Sequence, residues 1–219
     1  MSTVTQLPPI PAPGEVLRLK GVTWDEYVSF VDELHKSRRV RTAYHGDLLE
    51  IMTISPGHDR VSRFLHSVIT ALSLQTGVDI VSGGSTTFRS ELKKRGAEPD
   101  ECYWIANASA AIGLKRWNAE TDPPPDLVIE VDITSDSINR RPIYAKLGIA
   151  EMWRFDGRSL EALSLNENGE YVSIDSSLAF PVLAVADLLP FVTKLDTMSD
   201  TAILREFANW CSAQDFVRQ

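Results

Sequence analysis

The sequence predicts an α/β or α+β domain built on a mixed β-sheet, and three observations point there. Helical and strand periodicities alternate along the chain instead of segregating into blocks. Apolar residues make up 43% of the 219 residues and charged residues 24%, the balance of a chain with a real hydrophobic core. No internal repeat is evident. The expected organisation is an extended arm over residues 1–20, one main domain over 21–190 and a helical segment over 191–219 packed on that domain.

Each element has a local reason. The arm follows from "LPPIPAPGE", whose prolines favour extended backbone. Thr23 and Glu26 fit a capping box, which starts a helix running to about His35. "RTAYHGDLLEIMT" alternates about His45-Gly46-Asp47 and predicts a β-hairpin. Ser55-Pro56 opens a helix whose apolar residues, Val61 to Leu74, recur at helical spacing as far as a closing Gly77. "VDIVSGGSTTF" then predicts one strand, "RSELKKRG" a basic loop and "PDECYWI" another strand. A polar excursion leads to "DLVIEVDI", again a strand. A helix over Ser135 to Leu147 ends at Gly148, and Pro142 within it requires a late start near Asn139 or a kink. "EMWRF" and "LEALSL" form a hairpin across Asp156-Gly157, "GEYVSI" adds a strand after "NENG", and Thr197 to Trp210 forms a last helix.

Composition narrows the functional classes. Cys102 and Cys211 form no CxxC pair, so neither a disulfide framework nor a thiolate zinc site is indicated. No apolar run approaches the roughly 20 residues that cross a bilayer, so no membrane partner is expected. The N-terminus has no secretory-signal pattern, and a reducing, cytoplasmic setting is the expectation. The net charge of −8 argues against a general nucleic-acid footprint but not against a local one. The basic clusters are "KSRRVR" (36–41) and "RSELKKRG" (89–96), each of which also suits a solvated loop.

The chemistry concentrates in "EPDECYWI" and "PPDLVIEVDI". Side chains alternate along a strand, so Glu130 and Asp132 share one face of the second segment while Leu127, Ile129, Val131 and Ile133 share the other. Asp100 shares a face with Cys102 and Trp104 in the first. If the two strands are neighbours, about 4.8 Å apart, Asp100 and Glu130 can hold one cation between them. Hard oxygen ligands favour Mg²⁺, or Mn²⁺ in its place, over zinc. A turn-capping role is the alternative for an acid after proline, and Asp126 suits it best. Glu50 occupies a strand face beside Leu48 and Met52, where it is either a site member or an ion-pair partner. His58, near a helix start, is a surface or capping residue or a further member of the site.

"YHGDLLEIMTISPGHDRVSRFL", "GSTTF", "EPDECYWI" and "PPPDLVIEVDITSDSINRRPIYAKLGIAEMWRFDG" resemble the Uma-two family of restriction-endonuclease-type proteins, over about Trp24 to Asp187. The resemblance implies the PD-(D/E)xK nuclease-like superfamily, with a mixed central sheet flanked by helices. It assigns Asp100 as the first metal-binding acid and Glu130 as the acid of the tripeptide. Asp132 stands where the superfamily places lysine, and Arg140, beside Arg141, stands at the basic position of the following helix. Glu50 and His58 also match family positions. The implied activity is Mg²⁺-dependent hydrolysis of DNA phosphodiesters. Asp100, Glu130 and the Val131 carbonyl would bind the ion, Asp132 or Glu50 would complete its coordination, and Arg140 would steady the transition state.

Ser85, Thr86 and Thr87 are candidate donors to a nucleic-acid backbone. Cutting a duplex suggests a two-fold homodimer, with apolar residues of "ILREFANWC" as its contact. Two other readings stay open: a nuclease-like binding or assembly module that does not cleave, and acids that only stabilise the fold through Arg140 and Arg141.

Overall fold

The computed structural model describes residues 7–34, 36, 40–133 and 139–214. Along the chain it runs β1 (Val16–Leu19), α1 (Trp24–Leu34), β2 (Val40–His45), β3 (Leu48–Thr53), α2 (Pro56–Thr76), β4 (Val81–Ser82), β5 (Phe88–Ser90) and β6 (Arg95–Ala97). It continues through β7 (Glu101–Trp104), α3 (Ala108–Ala111), β8 (Leu127–Val131), α4 (Arg141–Leu147), β9 (Glu151–Phe155), β10 (Leu160–Leu165) and β11 (Tyr171–Ile174). One short helix flanked by 3-10 turns and a longer one close it: α5 (Leu189–Thr193) and α6 (Asp200–Ala213).

The local signals of the sequence act as expected. The Thr23 amide donates to Glu26 at 2.9 Å and the Glu26 amide to the Thr23 hydroxyl at 3.3 Å, closing the capping box of α1. Ser55 caps α2, with Pro56 in its first turn, and Gly77 ends it in the left-handed conformation. Pro142 lies in the first turn of α4, where its missing N–H costs nothing, so the helix takes the late start and not the kink. The expected helical residues 135–138 lie outside those described, as do the first six residues of the arm and the middle of "KSRRVR", residues 37–39.

The strands form two sheets. One has the order β1-β3-β2-β6-β5 and is antiparallel throughout. The other has the order β11-β10-β9-β8-β7-β4 and is mixed, with β8 and β9 parallel. The mixed sheet flanked by helices is thus present, accompanied by a second sheet. Three readings need correction. The segment 78–88 is not one strand: it breaks at Gly83-Gly84, leaving β4 in the mixed sheet and β5 in the antiparallel one. "RSELKKRG" is not a loop but a β5–β6 hairpin, because Arg89 pairs with Gly96 and Ser90 with Arg95. Part of the arm is also a strand, since Val16 to Leu19 pair with Met52 to Leu49 along the edge of β3.

Strand β8 is buried on both faces, as expected for an interior strand with a parallel neighbour. Leu127, Ile129 and Val131 join a core with Phe64, Leu65 and Val68 of α2 and Phe207 of α6. Val128 points the other way, into a core with Phe88, Trp117, Ile143 and Tyr144. A third core holds α1 against the antiparallel sheet through Tyr27, Val31 and Leu49. The apolar residues of "ILREFANWC" are not an exposed contact: Ile203, Phe207 and Cys211 are buried in the chain's own core.

Candidate active site

The two acidic segments come together as the strand reading requires. Strands β7 and β8 are antiparallel neighbours with Glu101 opposite Ile129. Asp100 directly precedes β7, and its amide donates to the Ile129 carbonyl at 3.2 Å, which sets it beside Glu130. Glu130 lies on the Val128 side of β8, away from the α2 core. The antiparallel sheet supplies Glu50. Its row across the sheet runs Arg18, Glu50, Ala43, Ala97 and Phe88, and the last three face the core shared with β8 and α4. The acids therefore converge where the two sheets meet.

Arg140, which caps α4, reaches into this junction and is 7% exposed. One of its terminal nitrogens lies 2.5 Å from Glu130 Oε2 and the other 3.9 Å from Glu50 Oε1. Tyr144, one helical turn further on, donates its hydroxyl to Glu130 Oε1. Asp100 Oδ2 accepts from the Val131 amide at 2.8 Å and lies 3.2 Å from His58 Nε2. Arg41 on β2 approaches Asp100 Oδ1 at 3.9 Å. Glu50 Oε2 accepts from Arg18 Nε at 3.2 Å. Glu98, buried beside this group, accepts from the Thr42 hydroxyl at 2.7 Å and offers its carbonyl to Arg140.

Burial and the neighbouring charges set the protonation pattern. Burial alone would raise Asp100, but His58, Arg140 and the Val131 amide outweigh it and hold Asp100 below the usual carboxylate range. Burial pushes Glu130 up to about 7; the Asp100 charge adds to the rise, and Arg140 and Tyr144 resist it. Burial opposes a charge on His58, yet Asp100 and Glu130 lift it above the ordinary imidazole value. The result is a lowered acid, a raised acid and a raised histidine in one cluster.

Of the residues singled out in the sequence, Asp100, Glu130, Arg140, Glu50 and His58 meet here. Val131 enters through its amide. Asp132 carries its described ion pair to Arg154 of β9, at 2.9 Å and a quarter exposed, and so turns to a different partner. Arg141 pairs with Glu161 at 3.1 Å. Asp126 is a turn cap as expected, accepting from the Ile105 and Asn107 amides. Tyr144 was legible as a partner from its four-residue spacing to Arg140. Arg41 and Glu98 carry no local signal, because only the pairing of distant strands brings them in.

Whether these residues suit a magnesium ion can be judged from their free atoms. Asp100 Oδ1 is buried without a hydrogen-bond partner, and the donors around it are hard carboxylates, which fits Mg²⁺ or Mn²⁺ in kind. Glu130, directly across from it, has both oxygens engaged by Arg140 and Tyr144. Among the described residues no three His, Cys, Asp or Glu side chains form a ready ligand set.

Comparisons with known proteins give a family and a similar fold. The family model Uma2, described as "Putative restriction endonuclease", matches residues 24–198. No match was found among curated proteins. A solved structure from Anabaena variabilis ATCC 29413, titled as a putative nuclease belonging to DUF820, is similar in fold. Its TM-score is 0.51 at 15% identity, with 85% of this chain and 99% of that chain covered.

Proposed function

Because the chain belongs to the Uma2 family, we propose that the junction of its two sheets hydrolyses DNA phosphodiesters with a divalent cation. The observation that carries the proposal is the buried convergence of Asp100, at the head of β7, with Glu130 of β8, with one Asp100 oxygen buried and without a hydrogen bond. Asp100 and Glu130 would hold Mg²⁺, with Glu50 nearest as a further carboxylate. When bound, the ion supplies Lewis-acid polarisation of the phosphate and a lowered pKa for water.

The chain's own residues account for the rest. Arg140 cannot act as a base, since a guanidinium stays protonated, but it can stabilise negative charge growing on a phosphate oxygen. His58 lies 3.2 Å from Asp100, whose charge favours the protonated imidazole, and it would be the group to give a proton to a departing alkoxide. The test is nicking of supercoiled plasmid with Mg²⁺ or Mn²⁺. Glu130→Ala and Asp100→Asn should each lower the rate at least about 100-fold, the scale of losing a group that acts on transition-state charge. Undiminished cleavage by either variant would remove the assignment.

A second reading, a nuclease-like domain that binds without cutting, is favoured by one observation: Arg140 and Tyr144 already satisfy both oxygens of Glu130. Titration calorimetry with Mn²⁺ separates the two readings. Carboxylate-dependent binding lost in Asp100→Asn supports the metal-dependent enzyme, and absence of binding supports the second reading.

A further inference from the structure

A polar cavity of about 310 Å³ has none of Asp100, Glu130, Glu50 or Arg140 in its lining and plays no part in the mechanism above. It is lined by Val31 and Asp32 of α1, Thr86, Thr87 and Arg89 around the start of β5, and Lys115, Arg116 and Trp117 of the excursion before β8. Three cations face one carboxylate in a chain whose net charge is −8. The single acid is already committed, because Asp32 accepts from Arg89 at 2.8 Å. Lys115 and Arg116 make no ion pair among the described residues, and Thr87 makes no hydrogen bond among them.

These cations are not on a loose loop. Trp117 is buried beside them, stacks edge-on against Phe88 at 5.0 Å, and donates its indole N–H to the Pro123 carbonyl at 2.9 Å. Thr86 is fixed by donating to the Gly83 carbonyl at 2.6 Å. Two uncompensated cations and a free hydroxyl are thus held around a concave space. That is the chemistry that receives a phosphate group. The cavity also has a fixed relation to the acids. Arg89 pairs with Gly96, and four residues of chain, at most about 14 Å, separate Gly96 from Asp100.

We propose that this cavity seats a phosphate of a nucleic-acid backbone, with Lys115 and Arg116 as the main contacts and Thr87 and Arg89 as supporting donors. It would position the strand whose neighbouring phosphodiester meets the carboxylates, and in that respect it rests on the nuclease reading. The site would contribute affinity without sequence preference.

The experiment is fluorescence anisotropy of a labelled DNA duplex in EDTA, between about 50 and 200 mM salt. The proteins are the unsubstituted chain and Lys115→Ala/Arg116→Ala. The double substitution should weaken binding about tenfold and lower the log–log salt slope by about one to two. Both substituted positions are exposed, and an unchanged melting midpoint would verify that the variant folds. Equal affinity and slope in the double variant would overturn the cavity assignment, even if plasmid cleavage by the unsubstituted chain upheld the nuclease reading. The predicted loss of affinity without cleavage in any metal would uphold the cavity and sink that reading. Calorimetry with inorganic phosphate completes the test. Saturation that depends on Lys115 and Arg116, with duplex binding unaffected, would make this a free-phosphate site and overturn the backbone assignment. So would the absence of any duplex binding.

Discussion

Arg140 is the residue on which the carboxylate cluster turns. It is a buried guanidinium whose charge is kept by Glu130 and Glu50 against the cost of burial. Removing one partner from such a group leaves uncompensated charge in a low-dielectric setting. Arg140→Met should therefore lower unfolding stability by about 3–5 kcal/mol in a urea titration. Adding Glu130→Gln to that variant should recover part of the loss, because the stranded carboxylate is then gone. Additive losses in the double variant would show that the two residues are not coupled. At this scale the sequence was informative about types and positions. Asp100, Glu130, Glu50 and Arg140 converge as the resemblance implied, whereas Asp132, which alternation alone placed beside Glu130, pairs with Arg154. Alternation fixes a face, but which cation on a neighbouring strand claims the carboxylate is a matter of sheet order.

Among the elements, β6 shows how a short segment positions the site. It lies between β2 and β5 and brings Glu98 and Asp100 out at its end. Helix α1 can cover it because Gly96 has no side chain: a Cβ built there would stand 2.0 Å from the Tyr27 hydroxyl oxygen. That oxygen belongs to a ring stacked on Tyr44 at 4.7 Å, inside a packed core, so it cannot swing aside cheaply. Gly96→Ala should cost about 1–3 kcal/mol by overpacking, read as a lower thermal midpoint. A companion Tyr27→Phe substitution, by removing the oxygen, should restore part of it. The hairpin that contains Gly96 was missed in the sequence because "RSELKKRG" has charge, polar residues and a glycine, all of which read as loop. Its strand character comes from pairing with β2, a partner fifty residues away in sequence.

For the whole molecule, the two sheets bury acids on both sides of β7, and this shapes stability against pH. Glu101 points away from Asp100, towards α2, where its carboxylate lies 3.6 Å from His66. Burial pushes it up to about 7, with the Asp100 charge adding to the rise. The unfolded chain releases this proton near 4.5. Between 4.5 and 7 the native chain thus holds a proton that the unfolded chain has lost, and stability falls as pH rises through that window. Glu101→Gln removes this residue's part of the slope and leaves that of Glu130, which burial also pushes up to about 7. Its melting midpoint should exceed that of the unsubstituted chain above pH 7, by on the order of 1–3 kcal/mol in stability. The gap should close as pH falls towards 4.5, and a constant gap across the window would show that Glu101 titrates normally.

The sequence by itself determined the capped helices, the strands that carry the acids and the family. Those depend on interactions within a few residues: the Thr23–Glu26 box, the Ser55 and Gly77 caps, the alternation of "LVIEV", and the four-residue step from Arg140 to Tyr144. Tertiary structure decided that the strands divide between two sheets and that the C-terminal apolar residues turn inward. It also decided that Arg41 and Glu98 border the site, and that Lys115 and Arg116 line a cavity together with Trp117. Each of these depends on which distant segments pair. That choice is made by burial and hydrogen bonding summed over the whole fold, which no local window of sequence contains.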